Sequence, residues 1–376
     1  MQSENSKTIK NQIIRYVIYL VVVLGLTALA FYLTIGNKIN SIIDVLKSAN
    51  VGYVIAILAV VVGIIIVRSI VIFVLTRIFE KKYMFHRAIA IDQIGSLYRM
   101  VTPAGVGSHV METYAYSKQG VKVSNALSVL ALYSIIYQIV LIIYGIITII
   151  VKRDLISQIG YIPISGNFAI PLVALIVIGF TFNVLTIGFI LLISYWNPFY
   201  KFIRGPIYGL IGKMKLFKDV ESKRNSLDIA VVNFRNNLKL LFKHIPTLII
   251  SLVMFFVYIT ISYSVPYICG LALGNASQYA NFWDSVLLSN FHQMVTCVVP
   301  LPGGSVVSEL FFLRLFYPSS GPVFYSSEQI ASASLLLWRG LMFIFPLIIS
   351  LIFVLIYRPR KEVSNSDNHE NQNPQE

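Results

Sequence analysis

Two arginines sit inside apolar runs. Arg68 lies deep in Val51–Leu75, and Arg339 lies near the middle of Gln329–Tyr357. A basic side chain at the centre of a membrane helix costs about 2.5–3.5 kcal/mol on insertion scales. Such a residue therefore faces a bundle interior or a wet cavity, where it pairs with a carboxylate or holds an anion. Arg68 is about seven residues from the end of its run and can partly snorkel. Glu309 is the natural partner for Arg339. That pair would tie two helices together, or open when a phosphate binds. Arg99 and Arg314 flank two Pro/Gly breaks, and either could reach a lipid headgroup from a helix end.

The breaks carry chemistry of their own. They read Thr102-Pro103-Ala104-Gly105-Val106-Gly107 and Pro300-Leu301-Pro302-Gly303-Gly304-Ser305, one in each half of the chain. Irregular backbone at membrane depth is tolerated only where it is buried in protein or lines a cavity. If Gly105, Gly107, Gly303 and Gly304 precede half-helices, backbone N–H groups and positive dipole ends point into the membrane and suit an anionic group. Paired interruptions in two halves point to a transporter binding site. Glu112 lies seven residues past Gly105, and Asp284 stands at the mouth of the second broken segment.

The elements that must position these residues are apolar runs. Ile14–Ile35, Val51–Leu75, Asn125–Val151, Phe168–Tyr195, Ile245–Leu271 and Gln329–Tyr357 each have about 22 to 29 residues. That is enough to cross a hydrocarbon core of about 30 Å. Lys and Arg cluster before the first run, around 77–87, through 196–244 and at 358–361, so these regions should be cytoplasmic. Segments 86–124 and 281–327 must then each begin and end on one side, and on opposite sides from each other. The expectation is an all-α polytopic membrane protein with six full spans and two re-entrant helical hairpins in an inverted repeat, about eight membrane segments. Residues 1–361 would form one membrane domain, with repeats at about 51–151 and 245–357. The polar residues 362–376 would be a disordered cytoplasmic tail.

The basic segment 196–244 reads as amphipathic over 226–244. Leu227, Val231, Phe234, Leu238 and Leu241 recur at helical spacing, and Ser226 suits the N-cap. Arg235, Lys239 and Lys243 would meet an anionic inner leaflet, at about 1 kcal/mol per basic residue. The alternative is a solvated connector packed on helix ends.

Composition excludes several classes. The chain has 376 residues, 57% hydrophobic and 12% charged, and a net charge of +14. Soluble domains carry about 25% charged residues. The basic excess is explained by cytoplasmic loops, not by nucleic acid. Cys269 and Cys297 lie in or near apolar segments and read as small buried hydrophobes. Ala28-Leu29-Ala30 resembles a signal-peptidase site, but the apolar run continues through Phe31–Ile35 and reads as a membrane helix. Asp284, Ser289 and His292 share one segment without a nucleophile–base pattern, and no metal-ligand spacing or cofactor motif is present. No catalytic residue and no cofactor is expected.

The two breaks, with Glu309 and Arg339, resemble the transmembrane region of bacterial lysylphosphatidylglycerol synthases and related flippase-like membrane proteins, over about residues 10–357. Members typically carry Pro-Gly-x-x-Gly-Glu in the first break and Gly-Gly-Leu-Gly in the second. Here Ala104, Ser108, Ser305 and Val306 depart from those patterns. The resemblance implies movement of an anionic or aminoacylated phospholipid. It also leaves open a phosphatidylglycerol lysyltransferase-type membrane subunit that needs a soluble aminoacyltransferase partner. Residues 1–376 leave no room for that soluble domain, so the lipid-moving half is the expectation. Arg68, Arg99, Arg339 and Glu309 would be the headgroup residues.

Overall fold

The computed structural model describes residues 39–102, 105–153, 161–165, 168–209, 220–296, 304, 306–318 and 323–357, with isolated helical positions at 21, 25, 28, 29 and 32. The first expected span, the tail 362–376, Cys297 and the break residues Pro103, Pro302 and Gly303 lie outside the described residues, those isolated positions aside.

The chain is an all-α polytopic membrane protein. After a short helix α1 (Ile39–Lys47) comes α2 (Val51–Thr76), capped by the Asn50 side chain, which accepts from Gly52 N. Two shorter helices follow, α3 (Phe85–Val101) and α4 (Gly107–Lys118), then the long α5 (Val123–Val151). Beyond a strand pair, β1 (Tyr161–Ser165) and β2 (Phe168–Pro171), run α6 (Leu172–Tyr195), α7 (Asn197–Phe202) and α8 (Val220–Lys243). The second half holds α9 (Ile245–Tyr263), α10 (Val265–Ala272), α11 (Phe282–Thr296) and α12 (Val307–Phe316). It ends with α13 (Glu328–Arg339), a π-turn at Gly340–Ile344, and α14 (Phe345–Ile356).

Five helical stretches among the described residues are long and apolar enough to cross a membrane: Val51–Thr76, Val123–Val151, Val173–Tyr195, Ile245–Ala272 and Glu328–Ile356. The structure corrects the sequence reading in two places. Residues 168–171 do not belong to the span beginning there; they pair antiparallel with β1, and Pro171 stands immediately before the helix. The run Ile245–Leu271 matches the stretch Ile245–Ala272, with a turn at Ser264 just before Pro266, which has no N–H to donate. Ser226 is not an N-cap: α8 begins at Val220, and the Ser226 hydroxyl donates to the Ser222 carbonyl inside the helix. The amphipathic reading of α8 otherwise holds. Val231, Leu238 and Leu241 are buried against neighbouring helices, while Ile229, Val232 and Phe242 are exposed.

Each broken segment folds as two helices packed on one another about the break. At 1.5 Å per residue, α3 and α4 are about 25 and 18 Å long, and α11 and α12 about 22 and 15 Å, so no one of them spans the hydrocarbon core alone. The larger core joins α2, α3, α4, α5, α9 and α14 around Leu75, Ile91, Tyr116, Ile136 and Phe255. A second core joins α11, α12 and α13 to Ile176 of α6, through Phe291, Phe312, Phe316 and Leu335. Two glycines set close approaches. A Cβ at Gly179 would lie 1.7 Å from the Met294 carbonyl oxygen, so α6 and α11 meet backbone to backbone. A Cβ at Gly95 would lie 1.8 Å from Glu112 Oε1, so α3 makes room there for the α4 carboxylate.

Candidate functional site: two arginine-lined cavities

Two cavities lie beside the broken hairpins. The first, of about 260 Å³, is lined by Ser289, His292 and Thr296 of α11, by Gly304 and Ser308 at the second break, and by Trp338 and Arg339 of α13. The second, of about 190 Å³, is lined by Arg68 of α2, by Ser96, Arg99 and Met100 of α3, and by Tyr258 of α9. Ser262 and Met342 line both. One layer of side chains therefore separates the two cavities.

In the first cavity Arg339 Nε lies 2.8 Å from Glu309 Oε1, the pair expected from sequence. The two groups form a close buried ion pair. Glu309 is 0% exposed and lies behind the lining, while Arg339, 5% exposed, is in it. The guanidinium also sits 4.0 Å from the centre of the Phe343 ring, an apolar wall that raises the strength of any charge interaction there. His292 is fixed by Ser308: its Nε2 lies 2.9 Å from the Ser308 carbonyl and 3.2 Å from the hydroxyl.

The second cavity holds a larger network. Arg68 Nη2 donates to Asp92 Oδ2 at 2.9 Å and to Ser96 Oγ at 2.6 Å. Gln93 donates to the same carboxylate oxygen and accepts from Ser350 of α14. Arg68 Nε is buried without a hydrogen-bond partner among the described residues. Arg99 pairs with Glu112 at 3.2 Å, and His109 Nδ1 lies 3.0 Å from the other oxygen of that carboxylate. Arg99 keeps 38% of its side chain exposed.

The structure thus brings Arg68 and Arg99 together in one cavity and Arg339 and Gly304 in the other. Gly105 and Gly107 line neither. Gly105 (φ 67°) packs on Arg99, where an added Cβ would lie 3.0 Å from Arg99 Cγ. The Gly107 N–H donates to Thr102 Oγ1 at 3.1 Å, so the start of α4 is capped from within the chain. Among the described residues no side-chain cap is seen at the start of α12, where Val306 adopts φ 74°. Gly304 and Ser308 at this second break line a cavity. Sequence reasoning missed Asp92, Gln93 and Ser96. Their signal was three polar side chains within five positions of an otherwise apolar helix segment.

A family model described as lysylphosphatidylglycerol synthase TM region matches residues 13–350. The chain belongs to that family. No curated protein matches it. Membership links this membrane protein to the making or handling of lysylphosphatidylglycerol, and so to contact with membrane phospholipid.

Proposed function

We propose that this chain moves a phospholipid headgroup between leaflets, acting as a flippase-like translocase for an anionic or aminoacylated lipid such as lysylphosphatidylglycerol. One observation carries the reading: each broken hairpin borders an arginine-bearing cavity, and the two cavities share the wall of Ser262 and Met342. Arg339 binds the phosphate in one, Arg68 and Arg99 do so in the other, and Glu309 positions Arg339. On this reading α3–α4 and α11–α12 are re-entrant hairpins that dip from opposite faces. They belong to an inverted repeat, with six full spans and about eight membrane segments in all. The order of long helix, broken pair and long helix occurs in both halves and supports that arrangement.

On this reading both termini lie on the cytoplasmic side of the plasma membrane, as the excess of Lys and Arg in the loops favours. There α8 lies against the anionic inner leaflet, its exposed Ile229, Val232 and Phe242 beside Lys239 and Lys243.

Reconstitution tests this directly. Liposomes containing the protein should exchange fluorescent or lysylated phosphatidylglycerol between leaflets. Arg339→Ala should slow exchange about 10- to 100-fold, the worth of a charge-assisted hydrogen bond. Exchange equal to that of protein-free vesicles across a range of lipids would refute transport. The word synthase in the family description favours a second reading, a membrane subunit that presents phosphatidylglycerol to a lysyl-transferring partner. It requires lysylphosphatidylglycerol to form only when that soluble partner is added, with no leaflet exchange.

A further inference from the structure

Glu309 creates a charge problem that a bound headgroup would have to solve. The carboxylate is fully buried behind the cavity lining, and its cation, Arg339, is the group that faces the cavity. An anion that draws the guanidinium forward leaves this carboxylate without a counter-charge. The charged and titratable groups around it are few. Helix α13 supplies Arg339, and α11 supplies His292, already engaged by Ser308. From α9, Tyr263 lines the same cavity, and Arg314 stands five residues further along α12 itself. No carboxylate lines this cavity among the described residues.

We propose that Glu309 takes up one proton when a phosphodiester draws Arg339 away, so that the headgroup enters this site together with a proton. The inference rests on the lipid-handling reading above. A buried carboxylate stripped of its partner is more costly than its neutral acid form. The guanidinium keeps its proton throughout. A proton can reach Glu309 where a headgroup ammonium cannot, because Glu309 does not touch the cavity surface. The charges balance. Before binding, Arg339 and Glu309 sum to zero. Afterwards Arg339 and the phosphodiester sum to zero, and the neutral acid adds nothing. For phosphatidylglycerol, passage of the loaded site is then electroneutral and indifferent to membrane potential.

The test uses the full chain in a neutral detergent, with dioctanoyl phosphatidylglycerol as probe. Calorimetric titration in buffers of different ionisation enthalpy counts the protons taken up per lipid bound. Trp338, in the cavity lining, reports affinity against pH in a Trp196→Phe/Trp283→Phe background. The expected results are close to one proton per lipid and an affinity that falls about tenfold per pH unit through the uptake range. Glu309→Gln should bind at least as tightly, with a flat pH profile, while His292→Gln should keep the slope. Binding without proton uptake overturns the inference and leaves the lipid reading standing. A slope that survives Glu309→Gln, or that vanishes in His292→Gln, also overturns it. No binding at any pH overturns both readings. The proton count on the unaltered chain decides the matter even if Glu309→Gln fails to fold.

Discussion

Deleting Asp92 should be among the most damaging single changes in the first half of the chain. Its Oδ2 lies 2.9 Å from Arg68 Nη2, and it is 1% exposed. At that distance the gross attraction is about 6 kcal/mol for an effective dielectric near 20. Much of this offsets the desolvation of both ions, so the intact pair adds little net stability. Removing one partner is a different matter, because Arg68 cannot shed its charge. What remains to it is the Ser96 hydroxyl at 2.6 Å and the Tyr258 ring, 5.9 Å from Cζ. Those contacts recover about 1–2 kcal/mol. The net cost of Asp92→Ala should therefore be about 3–5 kcal/mol, as for other buried pairs broken on one side. Arg68→Met/Asp92→Leu, which removes both charges, should cost far less than the two single changes summed. Denaturation by SDS in mixed micelles, run as a double-mutant cycle, measures the coupling, expected at about 2 kcal/mol or more. Additive single effects, or an Asp92→Ala cost under about 1 kcal/mol, would refute the account of α3 as held to α2 by this pair.

Two further outcomes follow from local geometry. Gly179→Ala places a methyl group against the Met294 carbonyl, which as backbone cannot turn aside. It should destabilise the α6–α11 contact by about 1–3 kcal/mol, read from the same SDS titration, whereas Gly188→Ala, with open space around it, should not. On the basic segment, a hydrogen bond from the Tyr200 hydroxyl, and then the Arg204 guanidinium, hold Asp228 below the ordinary carboxylate range. A lowered folded value means that this tie is fully present above about pH 4 and fades as pH falls through it. Protection of the α8 amides, measured against their intrinsic exchange rates, should fall below about pH 4 in the native chain, and Asp228→Asn should lose that acid sensitivity.

The legible parts of this molecule were those governed by local composition. Apolar run length gave five described spans to within a few residues, because membrane thickness fixes helix length. Pro and Gly gave the breaks, since neither residue type sits quietly inside a helix. Arg339 and Glu309 were readable as a pair because charged residues are so few between 245 and 357. The Arg68 network was not. Asp92 is 24 positions away, on a helix whose other charges look like an ordinary amphipathic face, and only packing selects it over Glu112. The cap at Gly107 was hidden for a similar reason: Thr102 belongs to the break itself, and its hydroxyl reaches five residues forward only once the loop has folded. Ser226 misled because a good capping residue was taken to begin a helix that Val220 had already started.

Val306 carries a load that its neighbours must bear. A β-branched residue at φ 74° holds about 1–3 kcal/mol of backbone strain, and Glu309 follows within one turn. That strain sits one turn before the carboxylate that faces Arg339, so a residue free of the strain at 306, such as glycine, should firm the start of α12.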